Sequence, residues 1–413
     1  MDIMTHYSPP DWKLYRLGQV FHERKEKGSD KEFPPLSVTM KGIVPQLDTA
    51  AKSDDSDNRK IVHIGDYAIN SRSDRKGSGG ISKYEGSVSL ITIVLEPQGI
   101  DTRFAHHLLR SPAFQEEFYR WGHGIVADLW TTRYADMKNI RLKLPDLTTQ
   151  RQIADFLDRE TARIGLLIEK KQRLVELLGE KYFATLGNLT FPKDGSSNDE
   201  LIPFRWVCRI AEGQVDPTSE SWKTKALIAP NHIESKTGRL LKIESAEEQG
   251  AISGKYSFKK GTVIYSKIRP ALAKAVIAPQ AGMCSADMYP IRPDKRLLSD
   301  FLLMQLLSAR FTDWATLESM RVAMPKINRE TLGGFKLRVP LISEQKVAIQ
   351  QFYINKKKFQ ITTDKINESV KRLKEYRSAL ITAAVTGQID VTAYANSGTT
   401  DRQLDAIQEE MGA

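Results

Sequence analysis

Residues 341–386 read LISEQKVAIQQFYINKKKFQITTDKINESVKRLKEYRSALITAAVT and contain neither glycine nor proline, the residues least compatible with a helix. Apolar side chains recur through this stretch at a strict spacing of seven residues. Such a repeat is typical of a helix that packs against another helix in a coiled coil. A rod of ~40 residues would be roughly 60 Å long at 1.5 Å per residue. The positions of this stripe are Phe352, Phe359, Ile366, Leu373 and Leu380.

The same pattern occurs a second time, 195 residues earlier in the chain. There the stripe is less regular, because Lys171 interrupts it. Gly165 and Gly179 also weaken the helix, by up to about 1 kcal/mol each relative to alanine. The spacing still predicts a helix over 148–190. In this helix Leu157, Ile164 and Leu178 correspond to Phe352, Phe359 and Leu373.

Further landmarks show that more than the helix is repeated. A short alternating segment ending in proline precedes each helix, a glutamine follows that proline, and a glycine-led segment lies upstream. Between these landmarks the two halves have diverged almost completely. One unit, a compact domain followed by a long helix, is therefore present twice. The matched landmarks are Ile140–Pro145 with Phe335–Pro340, Gln150–Arg151 with Gln345–Lys346, and Gly86–Ser89 with Gly282–Ser285.

We predict an α+β (mixed α/β) fold in which two globular domains are separated by two long antiparallel coiled-coil helices. Helices of equal length with matched stripes are natural partners, and an antiparallel pairing would relate the internal tandem repeats by a pseudo-twofold axis. Val88–Leu95 is predicted as a strand and Phe104–Trp121 as a helix. The predicted limits are 1–147 for the first domain, 148–190 for the central helix, 191–340 for the second domain, 341–395 for the C-terminal helix and 396–413 for a flexible tail. Helix–helix contacts are predicted for Leu157, Ile164, Leu178, Phe352, Phe359, Ile366, Leu373 and Leu380.

Composition limits the class of protein. The chain has 413 residues, of which 40% are hydrophobic and 27% charged, as in ordinary globular proteins of two to four domains. Cys208 and Cys284 are far apart and give neither a disulfide framework nor a zinc motif. The start lacks the layout of a signal peptide, and no apolar run approaches the roughly 20 residues that span a bilayer, so we expect a cytoplasmic protein. The net charge of +10 allows a nucleic-acid partner without requiring one.

Five phrases of the chain carry a family resemblance. Three of them resemble the central helical region of the specificity subunits of type I restriction-modification systems: Ile153–Asp158, Thr161–Ile164 and Leu166–Leu174. Ser378–Val391 resembles the C-terminal helical region of that family. Asp11–Leu17 matches the usual start of its first target-recognition domain. The resemblance covers nearly the whole chain, so 1–147 and 191–340 are identified as target-recognition domains.

The resemblance implies a division of labour. Each target-recognition domain would read one half of a split sequence in double-stranded DNA, and the helices would set the unread spacer. The helices would also dock two modification subunits, which carry S-adenosylmethionine and methylate adenine N6. A restriction subunit that uses ATP and Mg could join the complex. The chain itself would be non-catalytic, with no cofactor of its own and no membrane partner.

The residues support this interpretation independently of the family. Two unlike domains on a twofold frame would select an asymmetric, two-part site. Domains that read one face of DNA prefer separations near one helical turn, roughly 34–36 Å. A rod of ~60 Å can span that distance.

Motifs that would indicate an enzyme are absent or incomplete. Ser8–Asp11 superficially resembles the tetrapeptide of amino-methyltransferases but lacks the aromatic residue that stacks on a flipped base. Gly77–Gly80 lacks the Lys-Ser/Thr that ends a phosphate-binding loop. His106 and His107 are adjacent, so on a helix their side chains diverge and cannot share a metal. We therefore predict no catalytic, cofactor or metal site in this chain.

Candidate DNA contacts are cations, amides and hydroxyls in loops, because these groups read base edges and phosphates. In each half one loop follows a predicted strand, at Tyr67–Ile69 and Val263–Tyr265, and a second loop precedes the last strand. Matched positions with unmatched side chains are expected of two domains that read different half-sites. The candidates are Asn70, Arg72, Arg75, Lys76, Ser78, Lys83, Thr132 and Arg133 in the first half, and Lys267, Arg269, Arg321, Lys326 and Asn328 in the second.

Two other functions remain open on sequence grounds. A stand-alone, two-headed DNA-binding regulator would use the same frame without a methylase, and the lone chain would then bind DNA tightly. A coiled-coil protein adaptor would show no salt-sensitive DNA binding. A hydrolase or methylase in its own right is disfavoured by the missing motifs.

Overall fold

The computed structural model describes residues 8–46, 57–124, 130–192, 201–211, 213–320 and 325–409. The chain divides into two compact units. Unit 1 comprises Met1–Gln172 with Lys365–Ala413, and unit 2 comprises Arg173–Asp364. No helix among the described residues is long and apolar enough to cross a membrane.

Unit 1 is built on a four-stranded antiparallel sheet in the order β2-β10-β7-β8, with smaller sheets β3-β6-β9, β4-β5 and β1-β11. The strands are β1 (Lys13–Arg16), β2 (Phe21–Glu23), β3 (Lys27–Gly28), β4 (Leu36–Thr39), β5 (Gly42–Pro45), β6 (Arg59–Val62), β7 (Tyr67–Asn70), β8 (Gly79–Ile81), β9 (Gly86–Val88), β10 (Thr92–Pro97) and β11 (Arg141–Leu144). The helices of this part of the chain are α1 (Thr102–Arg110), α2 (Pro112–Arg120), α3 (Tyr134–Met137) and the long α4 (Leu147–Thr190), with 3-10 turns at Leu17–Gln19 and Ser73–Arg75.

Unit 2 repeats this plan with a four-stranded sheet in the order β13-β21-β18-β19, a pair β12-β22 and a five-stranded sheet β14-β17-β20-β15-β16. The strands are β12 (Leu201–Pro203), β13 (Cys208–Ile210), β14 (Gln214–Val215), β15 (Ala226–Ile228), β16 (Glu244–Ser245), β17 (Lys255–Phe258), β18 (Val263–Ser266), β19 (Ala275–Ile277), β20 (Gly282–Cys284), β21 (Met288–Pro293) and β22 (Lys336–Arg338). The following helices are α5 (Phe204–Val207), α6 (Ser299–Leu307), α7 (Ala309–Ser319), α8 (Arg329–Gly334) and α9 (Ile342–Val385), with 3-10 turns at Pro230–His232 and Pro270–Leu272; α10 (Val391–Asn396) and α11 (Thr399–Glu409) belong to unit 1.

The predicted fold class is confirmed: strands and helices are mixed, and the same sheet order occurs in both units. The long helices α4 and α9 each have 44 residues, and their bounds are 195 residues apart. In unit 2 Tyr182 of α4 stacks on Phe359 of α9 with ring centroids 4.9 Å apart. In unit 1 Thr161 of α4 and Ile381 of α9 line the same cavity. The start of α4 thus accompanies the end of α9, as an antiparallel pair requires.

The apolar stripes of the two helices account for their pairing. Lys171, which interrupts the first stripe in the sequence, is itself buried, and burial lowers the pKa of its ammonium group. Of the residues predicted to form helix–helix contacts, Leu157, Ile164, Phe352, Ile366, Leu373 and Leu380 are buried, whereas Leu178 and Phe359 are half-buried.

The glutamine that follows each landmark proline joins a long helix to its own domain. The Gln150 side chain accepts a hydrogen bond from the backbone N–H of Asp101 (2.9 Å) and donates to the carbonyl of Pro145 (2.9 Å). In unit 2 the Gln345 side chain accepts from Leu298 N (2.8 Å) and donates to Pro340 O (2.8 Å). Both glutamines are buried. The repeated glutamine therefore has a structural role in each unit.

Two elements of the first domain differ from the sequence-based expectations. The predicted strand Val88–Leu95 is divided between β9 and β10. The predicted helix Phe104–Trp121 breaks at Ser111, whose hydroxyl caps α2 by accepting from Phe114 N (3.2 Å). Pro112 then occupies the first turn of α2. Proline suits this position because a backbone N–H in the first turn of a helix has no carbonyl partner within the helix, so its absence costs nothing.

The C-terminal helix also differs from the expected bounds. Helix α9 ends at Val385 rather than at 395, because Gly387 (φ +73°) takes the left-handed conformation that closes many helices. The expected flexible tail contains α11, on which Leu404 is buried and Asp401 accepts a hydrogen bond from Arg163 of α4. The flexibility of 396–413 stays a prediction.

Replacing Gly282 with alanine is expected to destabilise the fold by about 1–3 kcal/mol through overpacking. A Cβ atom there would fall well inside contact distance of the carbonyl oxygen of Ala226, and Gly86 faces Pro34 in the same way. Urea unfolding of the full chain measures the change. Gly179→Ala is the control, because outside the backbone of its own helix no described residue has an atom within 4 Å of that Cβ, and alanine favours a helix. Equal effects of the two substitutions would contradict the prediction.

Candidate nucleic-acid interface

The two predicted DNA-contact loops of unit 1 lie against each other. After β7 ends at Asn70, the chain pairs with the segment that precedes α3. The N–H of Ser73 donates to the carbonyl of Trp130 (2.9 Å), and the N–H of Thr132 donates to that of Ser71 (3.0 Å). Residues 71–73 and 130–132 thus form one short backbone frame, which we call loop pair 1.

Unit 2 contains the same frame at the end of the equivalent strand, β18. The N–H of Arg269 donates to the carbonyl of Pro325 (2.8 Å), and the N–H of Ile327 donates to that of Lys267 (2.9 Å). Residues 267–269 and 325–327 form loop pair 2. Each of its hydrogen bonds joins positions that lie 195 or 196 residues after their counterparts in loop pair 1.

The backbone of the loop pairs is therefore repeated, whereas the side chains are not. The bridge between Arg72 and Thr131 in loop pair 1 becomes a bridge between Ile268 and Lys326 in loop pair 2. Two frames of equal geometry thus present different chemical groups.

The candidate residues of unit 1 differ in accessibility. Arg72, Arg75, Lys83 and Arg133 are exposed cations. Lys76 is exposed but forms an ion pair with Glu116, while the half-buried Asn70 accepts a hydrogen bond from Arg72 N (3.1 Å).

Ser78 and Thr132 differ from the other candidates in their burial. Both side chains are buried, and the hydroxyl of Thr132 donates to the carbonyl of Phe118 (3.0 Å). The Thr132 hydroxyl therefore joins the second loop to α2.

Among the candidate residues of unit 2, the exposed cations are Arg269 and Lys326. Lys267 is half-buried, with its ammonium 5.4 Å from the centre of the Tyr289 ring. Asn328 is exposed, but its side chain caps α8 by accepting from Thr331 N (2.7 Å). Arg321, also predicted to contact DNA, lies outside the described residues.

Backbone strain coincides with loop pair 2. Arg269 has φ +49° and ψ 60°, a left-handed conformation that costs a residue with a Cβ roughly 1–2 kcal/mol. Such strain tends to occur at functional sites. Here it fixes the direction in which the exposed guanidinium leaves the frame.

One basic residue of this region was missed by the sequence analysis. Arg329, adjacent to Asn328, lies with its guanidinium 5.9 Å from the Tyr256 ring centre and 5.8 Å from that of Tyr289. Its position next to a candidate residue was the available signal, but the aromatic contacts come from strands distant in sequence.

Comparison with models of protein families identifies the family of this chain. The model of the type I restriction modification DNA specificity domain matches twice, over residues 9–176 and 207–372. The chain belongs to the type I restriction-modification DNA specificity family. Its two units are therefore two specificity domains of one subunit, and the resemblance found in the helical phrases is confirmed.

Individual relatives agree with this membership. The specificity subunit of the type I restriction enzyme EcoDI from Escherichia coli is 28% identical over 92% of this chain and 89% of its own length. A solved chain from a study of assembly and conformational transition in a type I restriction-modification system has a TM-score of 0.72 at 16% identity, covering 93% of this chain and 100% of its own. The HsdS subunit of Thermoanaerobacter tengcongensis has a TM-score of 0.51 at 16% identity, covering 94% and 100%. These two structures show the fold.

Two adjacent histidines of α1, His106 and His107, lie where the first specificity domain contacts α4. His107 is hydrogen-bonded to Asp158 through Nε2 (2.8 Å), and His106 accepts from Ile81 N through Nδ1 (3.3 Å). Their rings are nearly perpendicular. Among the described residues no three His, Cys, Asp or Glu side chains are grouped so that they could hold a metal ion.

Acid is expected to destabilise this specificity subunit through His106. Burial and then the nearby Arg110 lower the pKa of His106 to about 3, against about 6.5 in the unfolded chain. Below pH 6.5 the unfolded chain therefore binds a proton at His106, whereas the folded chain does not. The free energy of unfolding falls as the pH is lowered below about 6.5, because protonation stabilises the unfolded chain alone. At pH 5.5 the cost is about 1.4 kcal/mol.

The variant His106→Leu isolates this contribution, since the equivalent residue of unit 2 is Leu303. Urea unfolding at pH 7.5 and 5.5 should show a smaller pH-dependent loss in the variant than in the wild type. An identical loss in both proteins would contradict the assignment.

Proposed function

We propose that this specificity subunit reads a split, asymmetric site in double-stranded DNA, with one half recognised by each loop pair. The observation that carries the proposal is the repeated backbone frame with different side chains. A single repeated domain with identical loops would read a symmetric site. Here Arg72 and Arg133 of unit 1 have no identical counterpart in unit 2, where Arg269 and Lys326 are the exposed cations.

The long helices would set the length of DNA that is not read. Helices of 44 residues are roughly 66 Å long at 1.5 Å per residue, which exceeds one turn of DNA. Because each base pair added between the half-sites rotates them by roughly 35° about the DNA axis, a rigid subunit tolerates one gap length only.

The remaining partners follow from the proposed role. Two modification (methyltransferase) subunits would dock on the helices and bring S-adenosylmethionine to an adenine in each half-site. A restriction subunit using ATP and Mg would join through the complex. The specificity subunit would bind no cofactor and catalyse no step.

Binding to DNA with altered gaps tests the proposal. The subunit is purified with its modification subunits, and affinity is measured for a duplex that carries both half-sites and for duplexes with one base pair added to or removed from the gap. We expect affinity to fall to the level of unrelated DNA, commonly 10³-fold or more weaker. Equal affinity for all gaps would contradict the spacer role.

The same assay separates the two alternative functions. Equally tight specific binding by the subunit alone would favour a stand-alone regulator. Binding to no DNA at any salt concentration would favour a protein adaptor.

A further inference from the structure

A basic cavity of about 570 Å³ lies in unit 1 between the turn of β4 and β5, the end of α1 and the last part of α9. Its cations are Lys41, Arg110, Lys374 and Arg377, and no aspartate or glutamate is among the described residues that line it. Within the described part of the chain the side chains of Lys41, Lys374 and Arg377 form no ion pair. The cavity therefore concentrates positive charge without neutralising it.

Two of these cations are held close to each other. Burial lowers the pKa of the Arg110 guanidinium, Tyr67 opposes this effect, and the positive charge of Arg377 lowers the pKa further. Gathering like charges in a partly desolvated cavity costs free energy unless an anion enters. The arrangement is therefore that of a receptor for an anion.

The repeat shows that the fold does not need these cations. Gly42 of unit 1 and Gly238 of unit 2 are equivalent, and both have positive φ. The nearest atom to a Cβ at Gly42 is Nη1 of Arg110 (3.6 Å), whereas at Gly238 it is Cδ1 of Leu307 (3.1 Å). At the place of Arg110 the wall is thus charged in unit 1 and aliphatic in unit 2, where a cation of α9, Lys356, also lies 3.7 Å from that Cβ position.

The long helices differ in the same way. At the position of α4 equivalent to Arg377 of α9, 195 residues earlier, stands Tyr182, which stacks on Phe359. Gly179 is equivalent to Lys374. Arg110 also donates to the carbonyl of Met40 in the β4–β5 turn, which gives it a structural role. The scaffold accepts uncharged residues at the positions of Lys374 and Arg377, so these two cations call for a role outside packing.

The surroundings of the cavity indicate which anion fits. Gly77, which follows loop pair 1 in the chain, also lines it. Lys41 and His106 are shared with a second cavity of about 580 Å³, which Lys83 borders. The second cavity also contains Asp158, which is paired with Arg103 and His107. The cations Lys83 and Lys41 thus lie along the way from the predicted DNA-contact loop to α9. A DNA strand that leaves loop pair 1 would carry phosphates along this path.

We propose that the basic cavity binds backbone phosphates of the unread DNA next to the half-site of unit 1, with Lys374 and Arg377 of α9 as the contacts. The inference rests on the proposed function. Phosphate contacts fix the position of the duplex and carry no sequence information. The helix α9 would then act on the spacer directly, in addition to setting its length. An acidic segment of a partner protein is the competing occupant.

The double variant Lys374→Ala/Arg377→Ala tests the inference in the complex with modification subunits. Loss of two phosphate contacts should lower the slope of log affinity against log salt by about 1.8, which corresponds to roughly 60-fold weaker binding at 0.1 M salt. The loss should be equal for DNA with and without the half-sites, and the methylated motif should stay the same. Lys365→Ala/Arg372→Ala is the control, since it removes the same two residue types from α9 at positions that a helix places on the opposite side.

Each outcome distinguishes the possibilities. If the wild-type complex binds its site and the double variant has the same salt slope as the wild type, the inference is overturned and the proposed function remains intact. Loss of the modification subunits from the variant alone would overturn it in favour of an acidic protein segment. Failure of the wild-type complex to bind DNA would instead refute the proposed function. An equal loss in the control variant would show a general charge effect and would also overturn the inference.

Discussion

The double variant Arg269→Ala/Lys326→Ala is expected to lose recognition of one half-site while the other half is still read. Both side chains are exposed and leave the backbone frame of loop pair 2. A base contact contributes about 1–3 kcal/mol of discrimination, so two contacts correspond to roughly 30-fold to 10⁴-fold in specific affinity. The measurement is binding of the complex to duplexes in which one half-site or the other has been scrambled. The variant should no longer distinguish the intact half-site of unit 2 from its scrambled form.

The strand β18 supplies a matched control for this variant. Lys259 and Lys260 precede the start of β18 and are exposed, whereas loop pair 2 follows its end. Lys259→Ala/Lys260→Ala therefore removes two positive charges from the same domain at the other end of the strand. The account requires discrimination to survive in this control. If both variants lose affinity equally for all sequences, loop pair 2 contributes charge but does not read bases.

The substitution Gln345→Leu is expected to cost about 2–5 kcal/mol of unfolding free energy, a large part of the stability of an ordinary domain. The buried side chain of Gln345 holds three backbone groups, accepting from Leu298 N and donating to the carbonyls of Arg296 (2.7 Å) and Pro340. Leucine fills the space but leaves those groups without partners. The attachment of α9 to the second specificity domain is then weakened.

Urea unfolding of the full chain measures this cost, and limited proteolysis near residue 340 reports where the structure loosens. Gln351→Leu on the same helix is the control, because Gln351 is exposed and bonds only to Asn355. Gln150→Leu should cost less than Gln345→Leu, since Gln150 holds two backbone groups rather than three. Equal stability of the Gln345 and Gln351 variants would contradict the assigned role.

The helices and the repeat could be predicted from sequence because their information is local and periodic. The sevenfold stripe from Phe352 to Leu380 needs only one helix face to be apolar, and it gave the position of α9 to within a few residues at its start. Its end was placed too late because Gly387, which closes the helix, was not weighed as a cap. The loops of each pair could also be located from the repeat, since one follows a strand that occurs in both halves and the other precedes the last strand of its half.

The chemistry within the loops could not be predicted in the same way. In the sequence, Thr132 resembles a hydroxyl that reads a base. In the structure this hydroxyl donates to the carbonyl of Phe118, which lies 14 residues earlier in the chain and could not be recognised as its partner from the sequence. The basic cavity is assembled from Lys41, Arg110 and Arg377, which come from distant segments. No single window of the sequence contains this cluster, so only the fold reveals it.

A genome-wide map of adenine methylation would show whether this subunit directs a methyltransferase to a split site. Cells would express the modification subunit encoded with this chain, either together with the specificity subunit or without it. The account predicts methylation at one split motif with a fixed gap, present only when the specificity subunit is expressed. Methylation that is unchanged without the subunit, with its expression verified, would contradict the account.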